Sequence, residues 1–245
     1  MNTHRTFTVT SAMANAAGLL SIALLAAGCA STKVSDQQQL VSGLIPKPNH
    51  ILVYNFVATP GDVPANSVLA GENLDTTPQT PEQIAEGKKL GAQIASELVT
   101  QIRDMGMPAE VALPGIQPQI NDLVLRGYLL SVQEGSAVER VAVGFGAGKA
   151  TLRTLVEGFQ DTPQGLRKLG QGTVDAGGNK TPGAALGLAT FLATKNPAGL
   201  IVSGGMKAYG EASGSDTIEG RAKDTAKEIA SVLKTRFQQQ GWIGQ

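Results

Sequence analysis

An apolar segment that ends in a single cysteine near the amino terminus sets the limits of what this chain can fold into. Arg5 precedes an apolar run over residues 12–27, and the small residues at its end lead directly to Gly28 and Cys29. A positively charged start, a short apolar run and small residues before a cleavage point are typical of a secretory signal peptide, and the run is too short to span a membrane. We therefore predict that residues 1–28 are removed and that only the rest of the chain folds.

The end of this segment matches a lipobox, the signal that directs lipidation of a cysteine. Gly28 and Cys29 fit its last two positions, although Ala26 stands where leucine is usual and Leu25 lies one position earlier. A conventional signal peptide or an uncleaved anchor with an unmodified cysteine is the alternative. We predict that Cys29 is lipidated, with fatty acids such as palmitate. Three acyl chains would hold the protein on a membrane, because one chain alone binds only marginally.

The residue after the cysteine bears on the location of the protein. In bacterial lipoproteins that this chain resembles, an aspartate at this position retains the protein in the inner membrane, and here the position is Ala30. The resemblance implies a lipid-anchored protein of the outer membrane that faces the periplasm.

The composition of the chain argues against several classes of function. Cys29 is the only cysteine, and His50 is the only histidine beyond the signal segment, so we expect no disulfide, no metal site and no cofactor. Twenty basic residues balance twenty acidic ones, so nothing attracts nucleic acid by charge.

A glycine-rich run over residues 144–148, followed by a lysine, is the strongest hint of ligand chemistry. A phosphate-binding loop would need glycine in place of Val143 and serine or threonine in place of Ala150. A tight turn between strands is therefore the better interpretation. Glu134 and Glu139 are interpreted as solvated carboxylates rather than as an acid/base pair. We predict no catalytic residues and no enzymatic activity.

After Cys29 the chain is polar, and we predict a lipidated amino terminus and tether over residues 29–48. The reach of such a tether would be roughly 25 Å. The alternative for residues 40–45 is that they pack on the domain, which we place at residues 49–245.

Alternation and helical periodicity divide this domain into strands and helices. The predicted strands are residues 51–57, 122–134, 150–157 and 166–176, and the predicted helices are residues 81–105 and 216–239. The strand at 150–157 has one water-facing side that includes Glu157. The order of elements predicts an α+β fold in which two helices pack on one antiparallel sheet.

Local signals support the ends of the helices. Thr80 and Gln83 form a capping box at the start of the first helix, and Gly106 follows its end. Asp216 and Glu219 form an acidic capping box for the second helix. Gly127, in the middle of a strand, indicates a bulge or a close neighbour.

Residues 182–209 form an insertion rich in glycine and alanine that a small α+β domain does not require. Two apolar runs within it predict a helical hairpin, and each run is too short to cross a bilayer. Gly183 and Gly187 form a GxxxG pattern that permits close helix contact. The hairpin either packs on its own sheet, or associates with a second copy or the membrane.

Residues 123–148 carry a resemblance to a known family. Gly127, Tyr128, Arg140 and the glycine-rich run 144–148, together with the preceding helix and the lipobox, resemble the bacterial lipoprotein family called domain of unknown function 4410. The resemblance covers essentially the whole mature chain. The order of elements is also similar to that of the small α/β domain of the curli-secretion lipoprotein and of the lipoprotein activators of peptidoglycan synthases. The resemblance implies a role in the cell envelope and brings no catalytic residues.

Two hypotheses for function follow. The first is a non-enzymatic binding or assembly module of the cell envelope, which binds another envelope protein or peptidoglycan. The second is a self-associating or membrane-perturbing lipoprotein that acts through the glycine-rich hairpin as a homo-oligomer.

Overall fold

The computed structural model describes residues 32–70, 78–133, 150–177, 201–202 and 217–245. Within these residues, one face of a mixed sheet packs against two helices. The strands are β1 (Lys33–Gln39), β2 (Ile51–Val53), β3 (Ala109–Val111), β4 (Leu123–Gln133), β5 (Thr151–Thr162), β6 (Gly165–Gly177) and β7 (Ile201–Val202), and the helices are α1 (Pro81–Asp104) and α2 (Ile218–Gln239). The strand order is β1-β6-β5-β4-β2-β3, with β7 paired to β4.

The sheet is mixed, which corrects the prediction of an antiparallel sheet. β4, β5 and β6 pair antiparallel, as expected for the meander, and β1, which was not predicted, pairs antiparallel with β6. β2 pairs parallel with both β3 and β4, and Ile51 lies opposite Ala109 and Leu123. The reason is the connection: α1 carries the chain back along the sheet after β2, so the next strand runs in the same direction.

Helix α1 confirms the prediction almost to the residue. The Thr80 side chain accepts a hydrogen bond from the Gln83 backbone, and the Gln83 side chain accepts one from the Thr80 backbone, which completes the capping box. The helix ends one residue earlier than predicted, before Gly106 at φ 78°. Ile94 and Leu98 lie on its fully buried face.

Helix α2 packs beside α1 and covers the other part of the same sheet face. Its N-cap is Thr217 rather than the predicted Asp216, because the Thr217 hydroxyl accepts the hydrogen bond from the Gly220 backbone at 3.1 Å. Ala222 and Ala226 are fully buried, and their small side chains allow the helix to lie close to its neighbours.

The prediction of a tether over residues 29–48 is wrong for Lys33–Gln39, because these residues form β1 on the edge of β6. Backbone groups make this pairing, so the polar side chains of the segment did not signal it. Val34 packs against the core. Of residues 40–45, Ile45 also packs there, whereas Leu40 and Leu44 are exposed.

Glu157 is not on a water-facing side, as the sequence suggested, but is fully buried. The face of the sheet away from the helices is covered by residues 57–70, which place Leu69 against Tyr128, Leu130 and Leu155. The alternating pattern could not show this cover, because the covering segment is not periodic.

The predicted hairpin over residues 182–209 lies outside the described residues except at Ile201–Val202. Those two residues form β7, which pairs parallel with Ser131 and Val132 of β4, so the prediction of helix is wrong there. Among the described helices, none is both long and apolar enough to cross a bilayer.

Candidate functional site

An apolar cavity of about 190 Å³ lies between α2 and the sheet. Val156 and Leu169 line it from the sheet, Leu233 and Phe237 from α2, and Trp242 from the carboxyl-terminal tail. Protein interiors are usually packed without voids larger than a water molecule, so a space of this size is a candidate binding site.

Three glycines line the cavity, namely Gly158 of β5 and Gly170 and Gly172 of β6. At Gly170 an added Cβ would lie 2.5 Å from the Gln38 backbone oxygen, so this glycine permits the close pairing of β1 with β6 and opens no space. At Gly158 an added Cβ would meet only the Leu125 side chain, at 3.7 Å, which is ordinary van der Waals contact. The position therefore has space for a side chain that the sequence does not supply.

Residues 40–48, which we call the amino-terminal arm, form the outer wall of the cavity. The arm is held to the end of α2 by hydrogen bonds: Ile45 N donates to Gln240 Oε1 at 2.8 Å, and Gln240 Nε2 donates to Gly43 O at 3.0 Å. The Trp242 indole Nε1 donates to Ile45 O at 3.2 Å. These bonds join residues almost 200 positions apart, so the cavity exists only when both ends of the domain are in place.

Arg236 stands at the mouth of the cavity. Its Nη1 donates hydrogen bonds to Gln39 Oε1 at 2.6 Å and to Gln239 Oε1 at 3.0 Å. Among the described residues that line the cavity, Arg236 is the only charged one, and no ion pair to it is formed within the described parts of the chain. The mouth is therefore positively charged.

A second site surrounds Arg126 on the sheet face away from the helices. The centre of its guanidinium lies 5.5 Å from the centre of the Tyr54 ring and 5.4 Å from that of Phe159, and Nη1 donates to Asn66 Oδ1 at 2.7 Å. Within the described ranges no carboxylate forms an ion pair with Arg126, and Asp161 contributes to the rim of the pocket. The two rings hold the guanidinium in place and leave some of its donors for a ligand.

Residues 112–121, which we call the apolar loop, connect β3 to β4 beside this Arg126 pocket. Three of its large apolar side chains are exposed: Leu113 by 63%, Ile116 by 39% and Ile120 by 61%. The Tyr54 hydroxyl donates to Ile116 O at 3.4 Å, and two prolines restrict the loop backbone. Exposed apolar side chains beside an aromatic-flanked arginine are typical of a contact surface.

A buried polar cluster lies under residues 57–70. Glu157 Oε1 accepts hydrogen bonds from Val68 N, at 3.0 Å, and from the Lys168 ammonium, which forms an ion pair with it. The Tyr128 hydroxyl lies near Glu157 and Ser67, yet no hydrogen bond of acceptable geometry reaches it from the described residues. Burial raises the pKa of Tyr128 well above its usual range. The Glu157 carboxylate and the Tyr128 phenol are buried, and we assign the cluster to stability.

The sequence-predicted site residues are mostly not placed. Cys29, Gly183 and Gly187 lie outside the described residues, as do the glycine-rich run 144–148 and the pair Glu134 and Glu139.

His50 is placed, and its Nδ1 lies 3.2 Å from Asp122 Oδ1. The Asp122 Oδ1 also accepts from the His50 backbone N at 3.2 Å, and Oδ2 accepts from Gln119 N at 2.8 Å. This arrangement ties the start of β2 to the start of β4. Across the described parts of the chain, no group of three or more histidine, cysteine or acidic residues could hold a metal ion.

Sequence reasoning missed both candidate sites. Arg126 is the one charged residue in the apolar stretch from Leu123 to Leu130, and that interruption was the available signal. Gly158, in the middle of a predicted strand of alternating residues, was the corresponding signal for the cavity. Neither signal identifies its partners, because Tyr54, Phe159 and Trp242 come from distant segments.

The chain belongs to the family described as Domain of unknown function (DUF4410), whose sequence pattern matches residues 51–195. This confirms the resemblance to that domain family for residues 51–195, whereas the sequence suggested a resemblance over essentially the whole mature chain. Two solved structures are similar, the PelC dodecamer from Paraburkholderia phytofirmans and its leucine-to-methionine variant, at 12% and 15% identity. Each match covers 69% of this chain and 96% of that chain, with a TM-score of 0.35. No curated protein sequence matches the chain.

Proposed function

We propose that this protein is a non-enzymatic binding module of the bacterial cell envelope, anchored to the outer membrane through an acylated Cys29, that binds another envelope protein. The observation that carries the proposal is the exposed apolar loop beside the Arg126 pocket. Leu113, Ile116 and Ile120 form the apolar part of this surface, and Arg126 supplies the charge.

The energetics of the surface favour a protein partner. Complete burial of one leucine or isoleucine side chain contributes about 1.5–3 kcal/mol. Even partial burial of the three apolar side chains of the loop would therefore make a large contribution to the free energy of binding. Arginine and tyrosine are enriched among the residues that dominate binding energy at interfaces, and Arg126 and Tyr54 adjoin here. The loop is tied down by Tyr54 and by Asn121, whose Nδ2 donates to Lys47 O at 2.9 Å. A loop held in one conformation loses less entropy on binding.

The position of β1 supports a short distance between the domain and the membrane. β1 begins at Lys33, four residues after Cys29. At no more than about 3.6 Å per residue, four residues reach about 14 Å, against the roughly 25 Å of the predicted tether. An acylated Cys29 would therefore hold the sheet edge near the headgroups, within reach of other proteins at that surface.

Site-directed photo-crosslinking in the cell tests the proposal. A photoreactive residue is placed at Leu113 or Ile120 of the lipidated protein, and a control is placed at Lys234, an exposed residue on α2. We expect one defined heterologous product from the loop positions and none from Lys234. The product should be lost in Arg126→Ala and partly retained in Arg126→Lys, which keeps the charge.

Three outcomes contradict this proposal. Equal capture from Lys234 would mean that the loop is not the contact surface. A ladder of one species would favour self-association. Retention on purified peptidoglycan, without a protein product, would favour the cell-wall polymer as partner.

A further inference from the structure

We propose that the apolar cavity beneath α2 binds a single acyl chain with an anionic head group, such as a free fatty acid. The site is separate from the apolar loop, because no residue of the loop lines the cavity, and the inference does not depend on the proposed envelope partner.

The shape of the cavity fits a linear hydrocarbon chain. It has about 190 Å³ and is partly open to solvent, so it would enclose part of a long acyl chain rather than the whole of one. Its lining follows β6 from Leu169 to Val174, which at ~3.3 Å per residue is ~17 Å of strand. A space that is long for its volume favours an extended chain over a compact ring.

The walls of the cavity are apolar along this length. Val34 lies opposite Val174 at one end, and Trp242 lies at the other beside the amino-terminal arm. The methylene groups of an acyl chain would fill the space beside Gly158, where an added Cβ would meet only the Leu125 side chain at 3.7 Å.

The mouth of the cavity favours a negative head group. Arg236 stands there with the amide side chains of residues 37–39, and no acidic residue is found among the described lining residues. The guanidinium stays charged at any physiological pH and offers a planar pair of donors to a carboxylate or phosphate. Its two described hydrogen bonds go to neutral glutamine oxygens, so a carboxylate would be a stronger acceptor.

The chain contains a built-in reporter, because its single tryptophan, Trp242, lines the cavity. We would titrate hexadecanoate into residues 29–245 carrying Cys29→Ser, which retains every described residue and has no acyl group of its own. The measurement is the tryptophan fluorescence, with hexadecanol as the uncharged ligand of the same length. We expect a saturable change with hexadecanoate and about tenfold weaker binding of hexadecanol.

Two variants connect the signal to the site. Arg236→Gln should weaken binding of hexadecanoate about tenfold and leave that of hexadecanol unchanged. Gly158→Leu should fill the cavity and abolish binding of both ligands, with Gly61→Leu as a matched control at an open surface position. Circular dichroism checks that each variant is folded. If Gly158→Leu does not fold, the binding measured with Arg236→Gln, at the mouth of the cavity, still tests the inference.

The inference is overturned by an absence of saturable binding, or by unchanged binding in folded Gly158→Leu. Equal weakening of both ligands in Arg236→Gln would overturn the role of the anionic head group. The lipidated protein, tested in the same titration, separates the two sources of acyl chain. If it fails to bind hexadecanoate while the Cys29→Ser chain binds, the cavity holds the protein's own lipid and a free fatty acid is not its ligand.

Discussion

Gly127 shows how one residue fixes the position of two segments. It lies in the middle of β4, directly under the ring of Phe56, and an added Cβ would overlap the ring atoms. The sequence predicted a bulge or a close neighbour at Gly127. The structure confirms the neighbour, and β4 also shifts register against β5 between Leu129 and Ser131.

We expect Gly127→Ala to lower the free energy of unfolding by about 1–3 kcal/mol, because the Phe56 ring would have to move. Gly158→Ala is the matched control, since it lies on the adjacent strand and its Cβ has room. Urea denaturation measures both variants. An equal loss of unfolding free energy in the two variants would show that replacement of any glycine in the sheet has this effect. The contact with Phe56 would then not be its cause.

Tyr128 gives a prediction for alkaline pH. Burial raises the pKa of its hydroxyl above the usual value of about 10, so the unfolded chain loses this proton at a lower pH than the folded chain. The stability due to this difference is complete below pH 10 and is lost as the pH rises toward the folded-state pKa, by up to about 1.4 kcal/mol per pH unit. Tyr128→Phe should reduce that loss between pH 9 and 11, measured by urea denaturation of the variant and the wild type. An identical pH dependence in Tyr128→Phe would refute the assignment.

At the scale of elements, local sequence signals predict the two helices and the meander β4–β6. The packing of α1 on the sheet can be tested by mutation. Leu98 is fully buried on the inner face of α1 and belongs to the core that also contains residues of β2 and β4. Leu98→Asp would bury a charge in this layer and should destabilise the protein by several kcal/mol, enough to unfold a marginal domain. Ser96→Asp, on the exposed face, is the control. A melting temperature that Leu98→Asp leaves unaltered would show that the layer assignment is wrong.

At the scale of the whole molecule, the attachment of the domain to a membrane remains a prediction that rests on Cys29. Cys29→Ser should release the protein from membranes or leave its signal peptide uncleaved. Membrane fractionation with a size measurement of the processed chain distinguishes these results from wild type. Normal processing with unchanged membrane association would rule out lipidation at this cysteine.

Self-association through the predicted hairpin is tested by Gly187→Leu. Added bulk at a close helix contact costs typically about 1–3 kcal/mol wherever that contact is. If the hairpin joins two copies, the variant should stay folded and lose its self-crosslinked species. Loss of stability in the variant, together with a monomeric wild type in detergent and in the cell, would exclude this role for Gly183 and Gly187.

The sequence by itself determined the features that depend on neighbours along the chain. The caps at Thr80 and Gly106, the amphipathic faces of α1 and α2 and the β5–β6 hairpin all arise from residues within a few positions of one another. Such signals do not depend on how the rest of the protein is arranged in space. The matching of residues 51–195 to a family likewise depends on the order of residues alone.

Only the tertiary structure decided the features that join distant segments. The parallel placement of β2, the pairing of β1 with β6, the burial of Glu157 and the positions of Arg126 and Arg236 at open pockets all depend on contacts across large sequence separations. Backbone pairing at a sheet edge is nearly independent of side-chain type, and a cavity is a property of the walls around it. Neither leaves a periodic pattern in the chain, so both candidate sites became visible only once the segments that build them were brought together.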